Sequence, residues 1–109
     1  MKISRLLTTV LVSTLPFATV QAKDFTGSIK VDRFKTSDYA SQAKVSMQDA
    51  INAAEKKVPG KAIEAELESE HGYLIYEIKV MKEDKKKAKL KVDAGNLAIL
   101  SIDDHVLTE

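Results

Sequence analysis

The feature that most constrains this chain is an abrupt change of period at Pro59-Gly60. Before it, Met47, Ala50, Ile51, Ala54 and Val58 recur at helical spacing and form one apolar stripe. After it, Ile63-Glu64-Ala65-Glu66-Leu67-Glu68 alternates strictly, the period of a strand with one apolar and one wet face. Pro59 accounts for the break, because it disfavours helical geometry at Val58 and brings no N–H. Gly60 gives the backbone freedom to turn. The helix also has a marked start. Ser46 is a hydroxyl N-cap with Asp49 three residues on, a variant of the capping box. Asp49 in the first turn and Lys56-Lys57 in the last both suit the helix dipole.

The period of two then persists. His71-Gly72 predicts a compact turn. The next strand sets Leu74, Tyr76, Ile78 and Val80 on one face and Tyr73, Ile75, Glu77 and Lys79 on the other. Glu83 to Lys87 reads as a charged turn. A third strand turns Ala88, Leu90 and Val92 inward and Lys89 and Lys91 outward. Asp93-Ala94-Gly95-Asn96 makes another turn before a final apolar strand, Leu97 to Ile102. Strands joined by short turns form an antiparallel meander, and the helix stripe is the cover for its apolar face. The expected fold is α+β: one α-helix packed on a three- to four-stranded antiparallel β-meander.

What precedes the helix is of two kinds. Lys2 and Arg5 open the chain, Leu6 to Val20 carries no charge, and Val20-Gln21-Ala22 offers small residues at the positions a signal peptidase reads. About 15 apolar residues interrupted by Pro16 fall short of the ~20 that a membrane span needs. Residues 1–22 are therefore expected to be a signal peptide cleaved after Ala22, leaving no stable membrane anchor and a periplasmic or secreted product. No lipobox cysteine is present. Residues 23–45 read as an extended arm, with Ile29 and Val31 alternating against Lys30 and Asp32. Phe25, Phe34 and Tyr39 are its scattered anchors. A flexible linker without structural weight is the alternative. Residues 46–102 are the folded domain and 103–109 a polar tail.

Composition then excludes several functions. Losing Lys2 and Arg5 and no acid moves the formal charge from +1 to about −1, which is not the balance of a nucleic-acid binder. There is no cysteine, hence no thiol catalysis, thiolate metal site or disulfide, and the fold rests on its hydrophobic core. His71 suits a hairpin turn, since histidine tolerates left-handed backbone angles. Asp103, Asp104 and His105 are weak metal candidates, because successive residues rarely converge on one ion without a fold to arrange them. Glu64, Glu66 and Glu68 form a row of carboxylates. Hydrolytic acid pairs need a cleft and shifted pKa values, and an open sheet face is expected to supply neither. No enzyme activity and no cofactor are expected.

The ordered set of an alanine-rich helix, Val58-Pro59-Gly60-Lys61, Glu66-Leu67-Glu68, Gly72-Tyr73, Tyr76-Glu77 and Val92-Asp93-Ala94-Gly95-Asn96 resembles the PepSY domain. Relatives often carry a further glycine after the Asp-Ala-Gly-Asn turn, where this chain has Leu97. The resemblance implies a non-catalytic exported module of the kind found in propeptides of thermolysin-like metallopeptidases. It also implies a partner that is itself a protein, with inhibition or modulation of a peptidase as the leading role. Two features could carry binding. Tyr73 and Ile75 interrupt the charged face, where the arm is the competing cover. The meander also has open edges that can receive an extended peptide or join two copies in a homodimer; otherwise the protein is a monomer. A small-ligand or metal-sensing envelope protein is the alternative, using the Asp103-Asp104-His105 tail or the helix–sheet seam.

Overall fold

The computed structural model describes residues 25–106, with the side chains of His105 and Val106 left undescribed. The expected signal peptide lies outside the described residues. Four strands, β1 (Lys61–Glu70), β2 (Tyr73–Met81), β3 (Lys87–Asp93) and β4 (Ile99–Val106), form one antiparallel sheet in the order β1-β2-β3-β4. Two helices, a single turn α1 (Tyr39–Gln42) and the longer α2 (Met47–Lys57), precede the sheet. The α+β meander is thus present, with four strands and one more short helix than the periodicity implies.

Helix α2 begins as its sequence predicts. Ser46 Oγ accepts from Asp49 N–H at 2.9 Å, and Asp49 Oδ2 accepts from Ser46 N–H at 3.4 Å. Ala50 and Ala54 have no exposed surface and let the helix sit close on the sheet, with Ile51 and Val58 packed beside them. Met47, assigned to the same stripe, is exposed instead. On the sheet, the inward sets of β2 and β3 are all buried: Leu74, Tyr76, Ile78, Val80, Ala88, Leu90 and Val92. The corner at Pro59-Gly60 depends on close approach more than on turning freedom. A side chain at Gly60 would collide with the Met81 carbonyl, and Gly60 is not among the residues of positive φ. Glu55 secures the corner by accepting the Ala62 N–H at 2.7 Å.

Three local readings are corrected. The register of β1 against β2 shifts between Ala62 and Glu64, so Ile63 is the extra residue of a bulge and stands 45% exposed. Ala62 packs on the core in its place. The last strand starts two residues late, because Leu97 belongs to the turn, at φ 68. That left-handed conformation is strained for leucine and free for glycine, which explains why glycine suits the position. Finally, β4 runs on through Asp103 and Asp104 to Val106 instead of ending at Ile102.

The arm is ordered; of its three expected aromatic anchors Tyr39 packs against the core and Phe25 meets His71, while backbone pairing and two aliphatic residues hold the rest. Val31 donates its N–H to Gly72 O at 2.8 Å, and Leu74 donates to Ile29 O at 2.9 Å, pairing the arm with the start of β2 where β3 has ended. Ile29 and Val31 are buried, whereas Phe34 is exposed. The arm is pinned by Asp93, which is 2% exposed. Its carboxylate accepts Ser28 N–H at 2.8 Å, Ser28 Oγ–H at 2.6 Å and Gly95 N–H at 2.7 Å. The adjoining Ala94 donates to Leu74 O and accepts from Lys44 and Val45. Tyr76 adds a hydroxyl bond to Val45 O at 2.7 Å, and burial raises its pKa.

Removing a partner of a buried charge strands the remaining groups. Ser28→Ala should lower unfolding free energy by about 2 kcal/mol and Asp93→Ala by about 3 kcal/mol, measured by urea denaturation. Asp93→Asn should also destabilise, since one of its two heads becomes a donor facing an N–H.

Candidate functional site

The face of the sheet away from α2 carries the charged residues, and register decides which of them meet. Glu66 lies directly opposite Glu77, Glu68 opposite Ile75, and Glu64 opposite Lys79. On the other flank, Lys91 lies opposite Glu77 and Lys89 opposite Lys79. Glu64 pairs with Lys79 at 3.2 Å, Glu77 with Lys89 at 3.3 Å, and Lys91 reaches across to Glu70. Glu66 is exposed and has no cation partner among the described residues.

The carboxylates of Glu66, Glu68 and Glu77 come within 4.8 Å of one another. The trio differs from the row the sequence suggests, because Glu64 is drawn off by Lys79 and Glu77 comes from the neighbouring strand. The expectation of ordinary acidity here is also corrected. Burial and the hydrogen-bonded carboxylate of Glu77 raise the pKa of Glu68 to about 7. Burial acts to raise Glu77 as well, but the hydrogen bond from Glu68 and the ammonium groups of Lys89 and Lys91 outweigh it and hold Glu77 below its usual value. The two acids therefore share one proton, with Glu77 as the ionised member. Counting outward from the His71-Gly72 turn could have found this, since a two-residue hairpin fixes the pairing of every residue beyond it.

The sequence-derived binding residues lie at the hairpin end of this face. Ile75 has no exposed surface; the register sets it between Glu68 and Asp93, and the ion pair of its diagonal neighbours Glu70 and Lys91 runs across it. Tyr73 is half-buried, with the arm over it: a methyl on Gly27 would stand 2.8 Å from Tyr73 Cβ. Phe25 meets the ring of His71 edge-on at 5.2 Å. His71 occupies the turn at φ 56, beside Gly72 at φ 84, as its conformational tolerance suggests. Asp103 and Asp104 are exposed residues of β4, and Asp103 lies opposite Lys89. The side chain of His105 lies outside the described residues.

The shared proton makes a pH dependence. Glu68 binds its proton more tightly folded than at the ordinary value of 4.5, so its contribution is full below that value and is lost as pH rises through about 7. Glu77 acts in the opposite sense, losing its contribution as pH falls below its ordinary value. Solvent screening at this partly exposed pair limits the Glu68 effect to about 1 kcal/mol. Thermal melts from pH 5 to pH 8 should show stability falling toward neutrality. The difference between the protein and Glu68→Gln should carry that slope; parallel curves would contradict the shared proton.

Comparison with known proteins gives one match. Residues 44–103 match the PepSY family, described as the peptidase propeptide and YPEB domain. No curated protein and no solved structure matches the chain. The match spans more than half the chain and takes in α2, the Pro59-Gly60 corner, the acidic strand and the Asp93 turn. By this match over its helix and sheet, the chain belongs to the PepSY family.

Proposed function

We propose that this protein is a non-catalytic periplasmic module that binds another protein and inhibits or modulates a peptidase. Its family supports the class: PepSY domains are associated with peptidase propeptides and inhibitor-like roles, are generally non-catalytic, and are typically extracytoplasmic. No helix among the described residues is long and apolar enough to cross a membrane. The leader-like start of the sequence supports export.

The observation that carries the reading is the open outer edge of β1. The sheet begins with β1, which is bonded to β2 on one side only. An unpaired row of N–H and C=O groups is a template for an extended segment of another protein. Tyr73, half-exposed at the hairpin end of β2, is the binding residue of the original pair that such a partner could reach.

A metal- or ligand-sensing role has less to stand on. Ala50 and Ala54 fill the helix–sheet seam. The groove flanking α2, lined by Asp49, Asn52, Ala53, Lys56 and Leu97, is shallow and about 290 Å³. The proton shared by Glu68 and Glu77 makes that pair a poor cation ligand near neutrality.

Incubation with extracytoplasmic peptidases, followed by gel filtration and residual-activity assays, should yield a complex or a change in activity. Absence of both across the peptidases tried would sink the regulatory reading. Heat on calorimetric titration with divalent cations would favour the sensing role instead.

A further inference from the structure

β1 and β4 are the two edges of the sheet, and they are not equivalent. β4 changes register against β3 twice, between Lys87 and Lys89 and between Lys91 and Val92. Such irregularities interrupt a continuous row of bonding groups and protect an edge. β1 has its single shift at Ile63 and then runs in unbroken register from Glu64 to Glu70.

The groups this edge presents follow from β2. Leu74 gives its N–H to Ile29 and receives Ala94 N–H at its carbonyl, so both its polar groups face away from β1. Backbone polarity alternates along an antiparallel strand. Ile75, Glu77 and Lys79 therefore turn toward β1, and their partners Glu68, Glu66 and Glu64 turn toward β2. The N–H and C=O groups of Ala65, Leu67 and Ser69 consequently point away from the sheet. None of them takes part in a further backbone bond among the described residues.

The side chains flanking that edge select what can fill it. On the outer face, residues in line along β1 are Glu64, Glu66 and Glu68, and Glu66 is exposed with no cation partner among the described residues. On the inner face are the half-buried Ala65 and Leu67, packed against the core. A second copy added antiparallel about Glu66 would set Glu66 against Glu66 and Glu64 against Glu68. Like charges directly opposite oppose pairing. A strand with lysine or arginine on one face and apolar residues on the other meets opposite charge outside and apolar surface inside.

We propose that the Ala65–Ser69 edge of β1 binds an extended segment of a partner protein in which basic and apolar residues alternate. This deepens the proposed function and rests on it for the partner being a protein. The basic side chains lie over Glu66 and its neighbours, and the apolar ones extend the core face beside Ala65 and Leu67. Main-chain bonds supply the affinity common to any strand; the acidic row supplies the selection.

The test uses fluorescence anisotropy with three peptides: alternating Lys and Val, the same peptide N-methylated at alternate amides, and alternating Glu and Val. The Lys-Val peptide should bind. Its N-methylated form should not, because it cannot donate to the edge, and the Glu-Val peptide should not. Glu66→Lys should weaken the Lys-Val peptide about tenfold, a change expected of one reversed charge pair. Circular dichroism of Glu66→Lys checks that the exposed substitution leaves the fold intact. Equal binding of the N-methylated peptide would show mere charge attraction, and indifference to Glu66→Lys would show another site; either overturns the proposal. Failure of the Lys-Val peptide to bind, or a dimer joined through β1 in sedimentation, overturns it too. The peptidase assay separates the two levels. Inhibition that persists unchanged in Glu66→Lys retains the regulatory role and removes this edge from it.

Discussion

The buried carboxylate of Asp93 brings together pieces of chain that nothing covalent joins. One of its oxygens receives both the Ser28 hydroxyl and the Gly95 N–H, and the other receives the Ser28 N–H. The arm is thereby held across the end of β3, and the turn is held in the shape that lets Ala94 bond Leu74, Lys44 and Val45. A chain without cysteine has no disulfide to do this. Gly95 belongs to the same arrangement, since a side chain there would collide with the Ser28 hydroxyl. The start of α2 takes its position from this junction through Val45, which also receives the Tyr76 hydroxyl. The helix covers the sheet where it does because the turn beside it is fixed.

Local chemistry made much of this fold legible in the sequence. The Ser46–Asp49 cap, the stop at Pro59, the His71-Gly72 turn and the alternation in β2 and β3 are each set by neighbours along the chain. What escaped depends on distant partners. Ile63 is apolar and in phase, yet a bulge turns it out and Ala62 in, because the corner must also satisfy Glu55 and the Met81 carbonyl. Ile29 and Val31 look like any short apolar pair until Gly72 and Leu74 supply their backbone partners. Asp103 and Asp104 resemble a polar tail, although an edge strand accommodates charge on its exposed positions. The proton shared by Glu68 and Glu77 needs two strands in register, which the two-residue turn implies but a row of glutamates on one strand does not show by itself.

These features divide the molecule into closed and open parts. The inner face of β1 to β3 is packed under α2, and the hairpin end of the outer face lies beneath the arm and the Lys91–Glu70 pair. Tyr73 and Ile75 are therefore first of all the surface on which the arm rests. The acidic half of the outer face lies alongside the unbonded edge of β1. Its three glutamates have distinct circumstances: Glu64 is paired, Glu68 shares a proton, and Glu66 stands exposed. The chain belongs to a family described as the peptidase propeptide and YPEB domain, and the protein-binding role proposed above would make use of that asymmetry.

The arm closes one side of the β2 hairpin while β1 stays open on the other. Amide hydrogen exchange on the free protein reads both sides at once. The amides of Val31 and Leu74 should exchange slowly, because each is bonded across the arm junction. Those of Ala65, Leu67 and Ser69 should exchange orders of magnitude faster. Slow exchange at Ala65, Leu67 and Ser69 would contradict the open edge, and fast exchange at Val31 and Leu74 would contradict the closed arm junction.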